Sequence, residues 1–201
     1  MAFADAVAAI AITLVALPVV DRAMDAPSAR DFLADGWQDL GPAAISFVVI
    51  AAFWRAHHWL FAPASGYSSK ILSLELLWLG TIVALPVATV LDFASDGGDR
   101  LALGIYIGTM LVSSIVLHAE ALVLEREGFV EPSPEESDYR RWVGSALFAV
   151  ALVLAVAFPA GGALWLLVLL LVGPILALSS RPDAGRARGD RSPGRAPGAE
   201  R

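Results

Sequence analysis

Ionisable side chains within or beside long apolar stretches are the residues of this sequence most able to do chemistry. They are Asp5, Arg55, His57, His58, Glu75, His118 and Glu120. Histidine and carboxylate groups bind metal ions, and His57 and His58 with Asp5 or Glu75 would supply both kinds of ligand. Adjacent residues of a helix point about 100° apart, however, so the two histidines cannot share one ion without distortion. We therefore predict no metal site and interpret these histidines as hydrogen-bonded or interfacial helix residues.

The sequence offers no other catalytic arrangement. Its lack of cysteine excludes thiol catalysis and thiolate metal sites. It contains no glycine-rich phosphate loop, nucleophile elbow or metal-ligand motif. The hydroxyls of Thr13, Ser113 and Ser114 lie in apolar stretches, where such groups usually bond to their own helix backbone. We predict that the protein has no catalytic residues and no cofactor, and that it is not an enzyme.

The composition indicates the class of protein in which these residues lie. Of 201 residues, 57% are hydrophobic and 17% are charged, and the mean hydropathy is +0.67. A soluble domain of this size carries about 25% charged residues. The net charge of −6 comes without a basic face, which argues against a nucleic-acid partner. We conclude that the chain is an integral membrane protein.

Six apolar stretches reach or approach the roughly 20 residues that a membrane span requires. They are Ala2–Val20, Pro42–Phe61, Ile71–Phe93, Leu101–Leu124, Trp142–Phe158 and Gly161–Leu178. The first lacks the basic segment that begins a secretory signal peptide, which favours a span. We predict an all-α membrane protein with six transmembrane helices in residues 1–180. Residues 181–201, rich in Arg, Gly and Pro, are predicted to form a disordered cytoplasmic tail.

The basic residues predict the orientation. With the N-terminus in the cytoplasm, three of the 14 Lys and Arg residues lie outside, and these are Arg22, Arg30 and Arg100. The other eleven lie on the cytoplasmic side, six of them in the tail. Because cytoplasmic loops are enriched in Lys and Arg, both termini are predicted to be cytoplasmic, as an even number of spans requires.

The first stretch has a distinctive pattern of large residues. On a helix, Phe3, Ile10, Leu14 and Leu17 fall in a narrow stripe because they are seven, four and three residues apart. Asp5 lies about 140° from Ile10 and points elsewhere. Such a stripe is most often ordinary core packing. Alternatively, symmetric copies of this helix could surround an axis and form a hydrophobic constriction that gates or selects ions by dewetting.

The order of residues in this stretch resembles the first-helix signature of the transmembrane protein 175 family of potassium channels. That family has a Phe-Ser-Asp motif followed by an isoleucine five residues after the Asp. The matching residues are Phe3, Ala4, Asp5 and Ile10, with Thr13 and Leu17-Pro18 also in register. The pattern Trp54-x-x-His57-His58-x-Leu60-Phe61 looks like the family's Trp-x-x-His motif at the end of the second helix, and Leu85-Pro86 matches a Leu-Pro in the third. The resemblance covers the first three spans, and the last three agree only in number and length.

The resemblance implies a homotetramer around a pore lined by the first helix. Carried over by position, Ile10, Leu14 and Leu17 would form the hydrophobic filter, and Thr13 would add a hydroxyl layer. The supporting network behind the pore helix would comprise Phe3, Asp5, Trp54 and His57. In two respects the chain departs from the family: Ala4 replaces the motif serine, and the arginine that precedes the motif has no counterpart.

We therefore expect a potassium-permeable channel of the cell membrane, with monovalent cations, lipid and further copies of the chain as partners. No Thr-Val-Gly-Tyr-Gly filter occurs, so selectivity would come from pore radius and dehydration. One alternative is a small secondary transporter, which an inverted repeat between residues 1–93 and 101–178 would support. The second half, however, has no copy of either motif. Another alternative is a non-transporting scaffold, in which the stripe would be buried by the chain's own helices.

Overall fold

The computed structural model describes residues 2–35, 37–94, 99–131 and 138–158. Within these ranges the chain is helical and contains no β-strand. The helices are α1 (Ala2–Val15), α2 (Leu17–Asp25), α3 (Ala29–Asp35), α4 (Trp37–Phe61), α5 (Ser69–Ala94), α6 (Arg100–Arg126) and α7 (Asp138–Ala157). The prediction of an all-α protein is confirmed for this part of the chain.

Four helical segments are long and apolar enough to cross a membrane, and they correspond to the first four predicted spans. They are Ala2–Asp25, Leu40–Phe61, Ser69–Leu91 and Arg100–Arg126. The fifth predicted span falls in α7, whose apolar part, Ser145–Leu154, is shorter. The sixth, Gly161–Leu178, and the predicted tail lie outside the described residues. Within the described residues the structure thus gives four candidate spans, and the sixth predicted span is not tested.

The first span is interrupted at Ala16, between α1 and α2. Pro18 is the second residue of α2 and has no backbone N–H to donate to the preceding turn. The backbone adjusts with a tighter bond from the Ala16 N–H to the Thr13 carbonyl (3.1 Å). The predicted single stretch therefore consists of two consecutive helices.

The two ends of α6 are defined by local side-chain and backbone chemistry. At the start, the carboxylate of Asp99 accepts a hydrogen bond of 2.8 Å from the Leu101 N–H, as expected for an N-cap residue. At the end, Gly128 has a φ of +74°, and the Phe129 N–H donates to the Leu124 carbonyl at 2.9 Å. Glycine adopts this left-handed conformation without a steric penalty, so it terminates the helix.

The segment after α6 folds back onto the α4–α5 loop. The Ser65 N–H donates to the Phe129 carbonyl at 3.0 Å, and a Cβ at Gly66 would lie 2.6 Å from the Phe129 ring, so this close approach requires glycine. Outside the spans, hydrogen bonding by Ser68, together with Lys70, holds the pKa of Glu127 below its ordinary value although partial desolvation acts to raise it. These contacts fix α4, α5 and α6 relative to one another at this end of the bundle.

The core of the described bundle lies where α4, α5 and α6 meet. Its largest fully buried apolar side chains come from these three helices: Ile50, Ile71, Trp78, Ile82, Leu85, Ile107, Met110 and Leu124. Helix α5 is central because it packs against both α6 and α1, while α1 also packs against α4. Helix α7 packs against α6, and its Phe148 stacks on Phe53 of α4.

Candidate functional site

Helix α1 contacts the bundle through alanines. Ala4, Ala8 and Ala11 are each 1% exposed, and Val15 is also buried. These residues are spaced four, three and four apart, so they share one face of the helix. Small side chains let helix backbones approach closely, which is a common way to pack helices in membranes. Ala4, which stands in place of the family's serine, faces the bundle and adds no hydroxyl there.

The large side chains of α1 and the start of α2 face away from the helices that the structure describes. Phe3 is 66% exposed, Ile10 59%, Leu14 42% and Leu17 55%. This stripe lies about 120° around the helix from the alanine face. Thr13, also exposed, bonds to the Ile10 carbonyl at 2.8 Å. The bulky stripe predicted from the sequence is therefore not part of the core formed by the described helices.

A hydrogen bond joins the acid of α1 to α4. The indole Nε1 of Trp54 donates to Oδ1 of Asp5 at 2.8 Å. Two of the four residues predicted to support the pore helix are thus in direct contact. Phe3 is exposed at the start of α1 and lies on the bulky stripe.

His57, the fourth of these residues, has other partners. Its ring is 2% exposed, and Nε2 lies 3.0 Å from Oε2 of Glu75 on α5. The ring stacks on Trp78 with centroids 4.2 Å apart and planes inclined by 12°. Phe61 lies on the same ring at 4.5 Å. His57 therefore ties α4 to α5, whereas Trp54 ties α4 to α1.

A third ionisable residue, Glu120 of α6, completes a cluster with His57 and Glu75. One ligand atom from each of the three lies within 4.8 Å of the others. Neither Glu75 nor Glu120 is among the site residues predicted from the sequence. The sequence feature that could have grouped these residues is their distance from the helix ends. His57 lies four residues before the end of α4, and Glu120 lies six before the end of α6. Glu75 lies six residues after the start of α5, so all three occupy the same end of the bundle.

Four apolar helices of membrane-spanning length, found among the residues that the structure describes, indicate a multi-pass membrane protein. Residues 1–86 match the model of the family described as endosomal/lysosomal potassium channel TMEM175. This is a family of ion channels and not of enzymes. The family resemblance that the first-helix motif predicts is confirmed, and the match covers the part of the chain that carries the three motifs.

A curated protein of Streptomyces collinus, named as a potassium channel, is 29% identical to this chain over 131 residues. The aligned region covers 63% of this chain and 64% of that relative. The chain thus spans less than two thirds of the length of the relative it matches. No solved structure matches the chain.

Proposed function

We propose that this protein is a homotetrameric, potassium-permeable cation channel through which ions move passively. The observation that carries the proposal is the orientation of α1, whose alanines face the bundle while Ile10, Leu14 and Leu17 face away from it. Exposed aliphatic residues are ordinary on a lipid-facing helix, because lipid tails are as apolar as leucine. What sets α1 apart is that its exposed stripe contains the isoleucine of the family motif, within the residues that match the family.

Four copies of α1 around a closed symmetry axis would cover the bulky stripe of every chain. Ile10, Leu14 and Leu17 would then form successive hydrophobic rings, and Thr13 would add a ring of hydroxyls. An ion that crosses such rings must lose part of its hydration shell, and a narrow apolar constriction excludes water when closed. Potassium gives up its hydration water more easily than sodium does, so the constriction would select modestly for potassium.

The remaining features complete the proposed channel. Asp5 and Trp54 would hold each pore helix against its own bundle, and His57 would brace α4 behind it. The channel domain comprises residues 1–180 with six spans, followed by the basic tail 181–201. Both termini lie in the cytoplasm, and the channel works in the cell membrane with potassium as the permeant ion.

Potassium flux from liposomes that contain the purified protein tests the proposal. In Ile10→Asn, an amide side chain would wet the constriction and lower the dehydration barrier. Each 1.4 kcal/mol removed from that barrier raises flux about tenfold, so we expect about tenfold or greater flux with lower selectivity for K⁺ over Na⁺. The matched control is Ile105→Asn, because Ile105 is an exposed isoleucine (41%) on α6. That variant is expected to conduct like the wild type.

Two results would contradict the proposal. Unchanged flux and selectivity in Ile10→Asn would remove Ile10 from the conduction path. A monomeric mass in detergent, together with no flux from either protein, would favour the non-transporting scaffold. A mass of about four chains and the predicted change in flux would support the channel.

A further inference from the structure

Three ionisable side chains from three different helices converge inside the described bundle. His57 of α4, Glu75 of α5 and Glu120 of α6 each offer one ligand atom, and these atoms lie within 4.8 Å of one another. His57 is 2% exposed and Glu120 0%, and the Glu75 side chain is 14% exposed. The cluster is therefore largely closed to solvent.

The carboxylate of Glu120 has no hydrogen-bond partner among the described residues. Both of its oxygens are buried, and neither accepts a hydrogen bond. Glu75 is different, because its Oε2 pairs with His57 at 3.0 Å. An ionised carboxylate that is buried without a partner is unfavourable, so such groups are normally paired or bound to a cation. Glu120 thus directs an unsatisfied acid into a cluster that already holds a second acid and an imidazole.

We propose that His57, Glu75 and Glu120 bind one divalent transition-metal cation of the zinc class. Once both acids have lost their protons, the two carboxylates and a neutral imidazole carry a charge of −2, which a divalent ion neutralises. Imidazole nitrogen and carboxylate oxygen are ordinary ligands of Zn²⁺, at about 2.0–2.2 Å. Ligand atoms at such distances lie roughly 3.3–3.5 Å apart in a tetrahedral site. The present separations therefore require only small side-chain movements for binding.

The surroundings of the cluster favour binding because they hold the ligands in place. The His57 ring contacts two aromatic rings, with its centroid 4.2 Å from that of Trp78 and 4.5 Å from that of Phe61. Fixing the orientation of a ligating ring is a recurrent role of residues around metal sites. The three helices that carry the ligands are the most extensively buried part of the described bundle, so little additional ordering accompanies binding.

The test uses the purified full chain in detergent, equilibrated with Zn²⁺, separated from free metal by gel filtration and analysed for zinc per chain. We expect about one zinc per chain in the wild type. In Glu120→Gln, which keeps the shape of the side chain and removes its charge, affinity should fall by about 100-fold or more, since even residues around a site contribute 10–100-fold. His57→Gln should show the same loss.

His58→Gln is the matched control, because His58 is the neighbouring histidine on the same helix and does not belong to the cluster. Its zinc content should equal that of the wild type. Cobalt substitution gives a second readout: the visible absorption of bound Co²⁺ should appear in the wild type and in His58→Gln and be absent from Glu120→Gln. The elution volume of each variant establishes that it is folded.

Equal zinc content in the wild type and in a folded Glu120→Gln would overturn the proposal, and so would a loss of zinc in His58→Gln. A wild type that binds no zinc would overturn it as well, and would leave Glu120 as a buried neutral acid. None of these measurements depends on conduction, so the metal site and the proposed channel can fail independently of each other.

Discussion

Helix α5 packs against α1 on one side and against α6 on another, and opposite kinds of residue make the two contacts. Towards the bundle, α1 presents Ala4, Ala8 and Ala11 and leaves its largest side chains exposed. Helix α6 buries large side chains, among them Ile107 and Met110. Helix α6 carries large apolar residues both in the core and on its exposed face, where Leu101 and Ile105 lie. In α1, by contrast, alanines face the core and the largest side chains lie on the exposed stripe.

The polar contacts of α1 also differ from those among α5, α6 and α7. Hydroxyl pairs join the helices of the inner bundle: Thr81 and Ser113 lie 2.8 Å apart, and Ser114 and Ser145 lie 2.7 Å apart. On α1, by contrast, the hydroxyl of Thr13 bonds to its own helix backbone. Asp5 bonds to Trp54 near the start of α1.

The difference suggests how a helix can be held firmly and still present a large apolar surface. Lipid tails are as apolar as leucine, so burying large side chains gives little net gain within a membrane. Close packing of small residues and a few hydrogen bonds can position the helix instead. The bulky stripe of α1 then stays available for contacts outside the chain, which is what the proposed pore requires.

The largest effect is expected from a substitution that disturbs the alanine face. In Ala8→Leu, a large side chain is forced between α1 and the bundle, where Ala8 is 1% exposed. Overpacking of this kind reduces the free energy of unfolding by about 1–3 kcal/mol. Thermal unfolding of the detergent-solubilised protein measures the loss.

The neighbouring residue provides the control for this prediction. Ala9 is exposed on the same helix, so Ala9→Leu should change the free energy of unfolding by no more than about 0.5 kcal/mol. If the two variants unfold at the same temperature, α1 is not held through its alanine face, and the contrast with α6 disappears.

A smaller effect is expected at the hydrogen bond between α1 and α4. Asp5→Ala removes the acceptor of the Trp54 N–H, and hydrogen bonds to charged groups contribute about 1.5–3 kcal/mol. Trp54 is 36% exposed, so we expect about 1 kcal/mol, after allowance for solvent screening. A double-mutant cycle with Trp54→Phe isolates the pair, because the second substitution should add little once the first is made. Strictly additive losses would mean that the bond does not stabilise α1.

The sequence predicts on which face of its own helix a residue lies better than it predicts the contacts between helices. The stripe of Phe3, Ile10, Leu14 and Leu17 follows from the spacing along one helix. The spacing alone leaves open whether the stripe is buried in the core or exposed for contact with other copies of the chain. The first predicted span is present as Ala2–Asp25. Its division into α1 and α2 near Pro18 is not predicted by the length of the apolar stretch. Length and composition predict that helices exist, but not where a proline divides them.

The ionisable cluster could not be predicted, because it depends on how three helices are rotated relative to one another. His57 and Glu75 are 18 residues apart, and Glu120 lies on a third helix. The apolar pattern of one helix contains no information about the rotation of its neighbours. The angle between adjacent residues correctly separates His57 from His58, but the prediction of no metal site considered Asp5 and Glu75 and did not include Glu120.

The smallest effect is expected from a hydroxyl pair in the inner bundle. Thr81→Val keeps the shape of the side chain and removes its contact with Ser113, which is fully buried. Hydrogen bonds between membrane helices contribute about 0.6 kcal/mol on average, because the separated helices find other partners. Ser113 can bond to its own backbone in the variant, so we expect a loss of about 0.5 kcal/mol in the free energy of unfolding. A loss larger than that of Asp5→Ala would reverse the comparison, since the hydroxyl pairs would then position their helices more strongly than the Asp5–Trp54 bond positions α1.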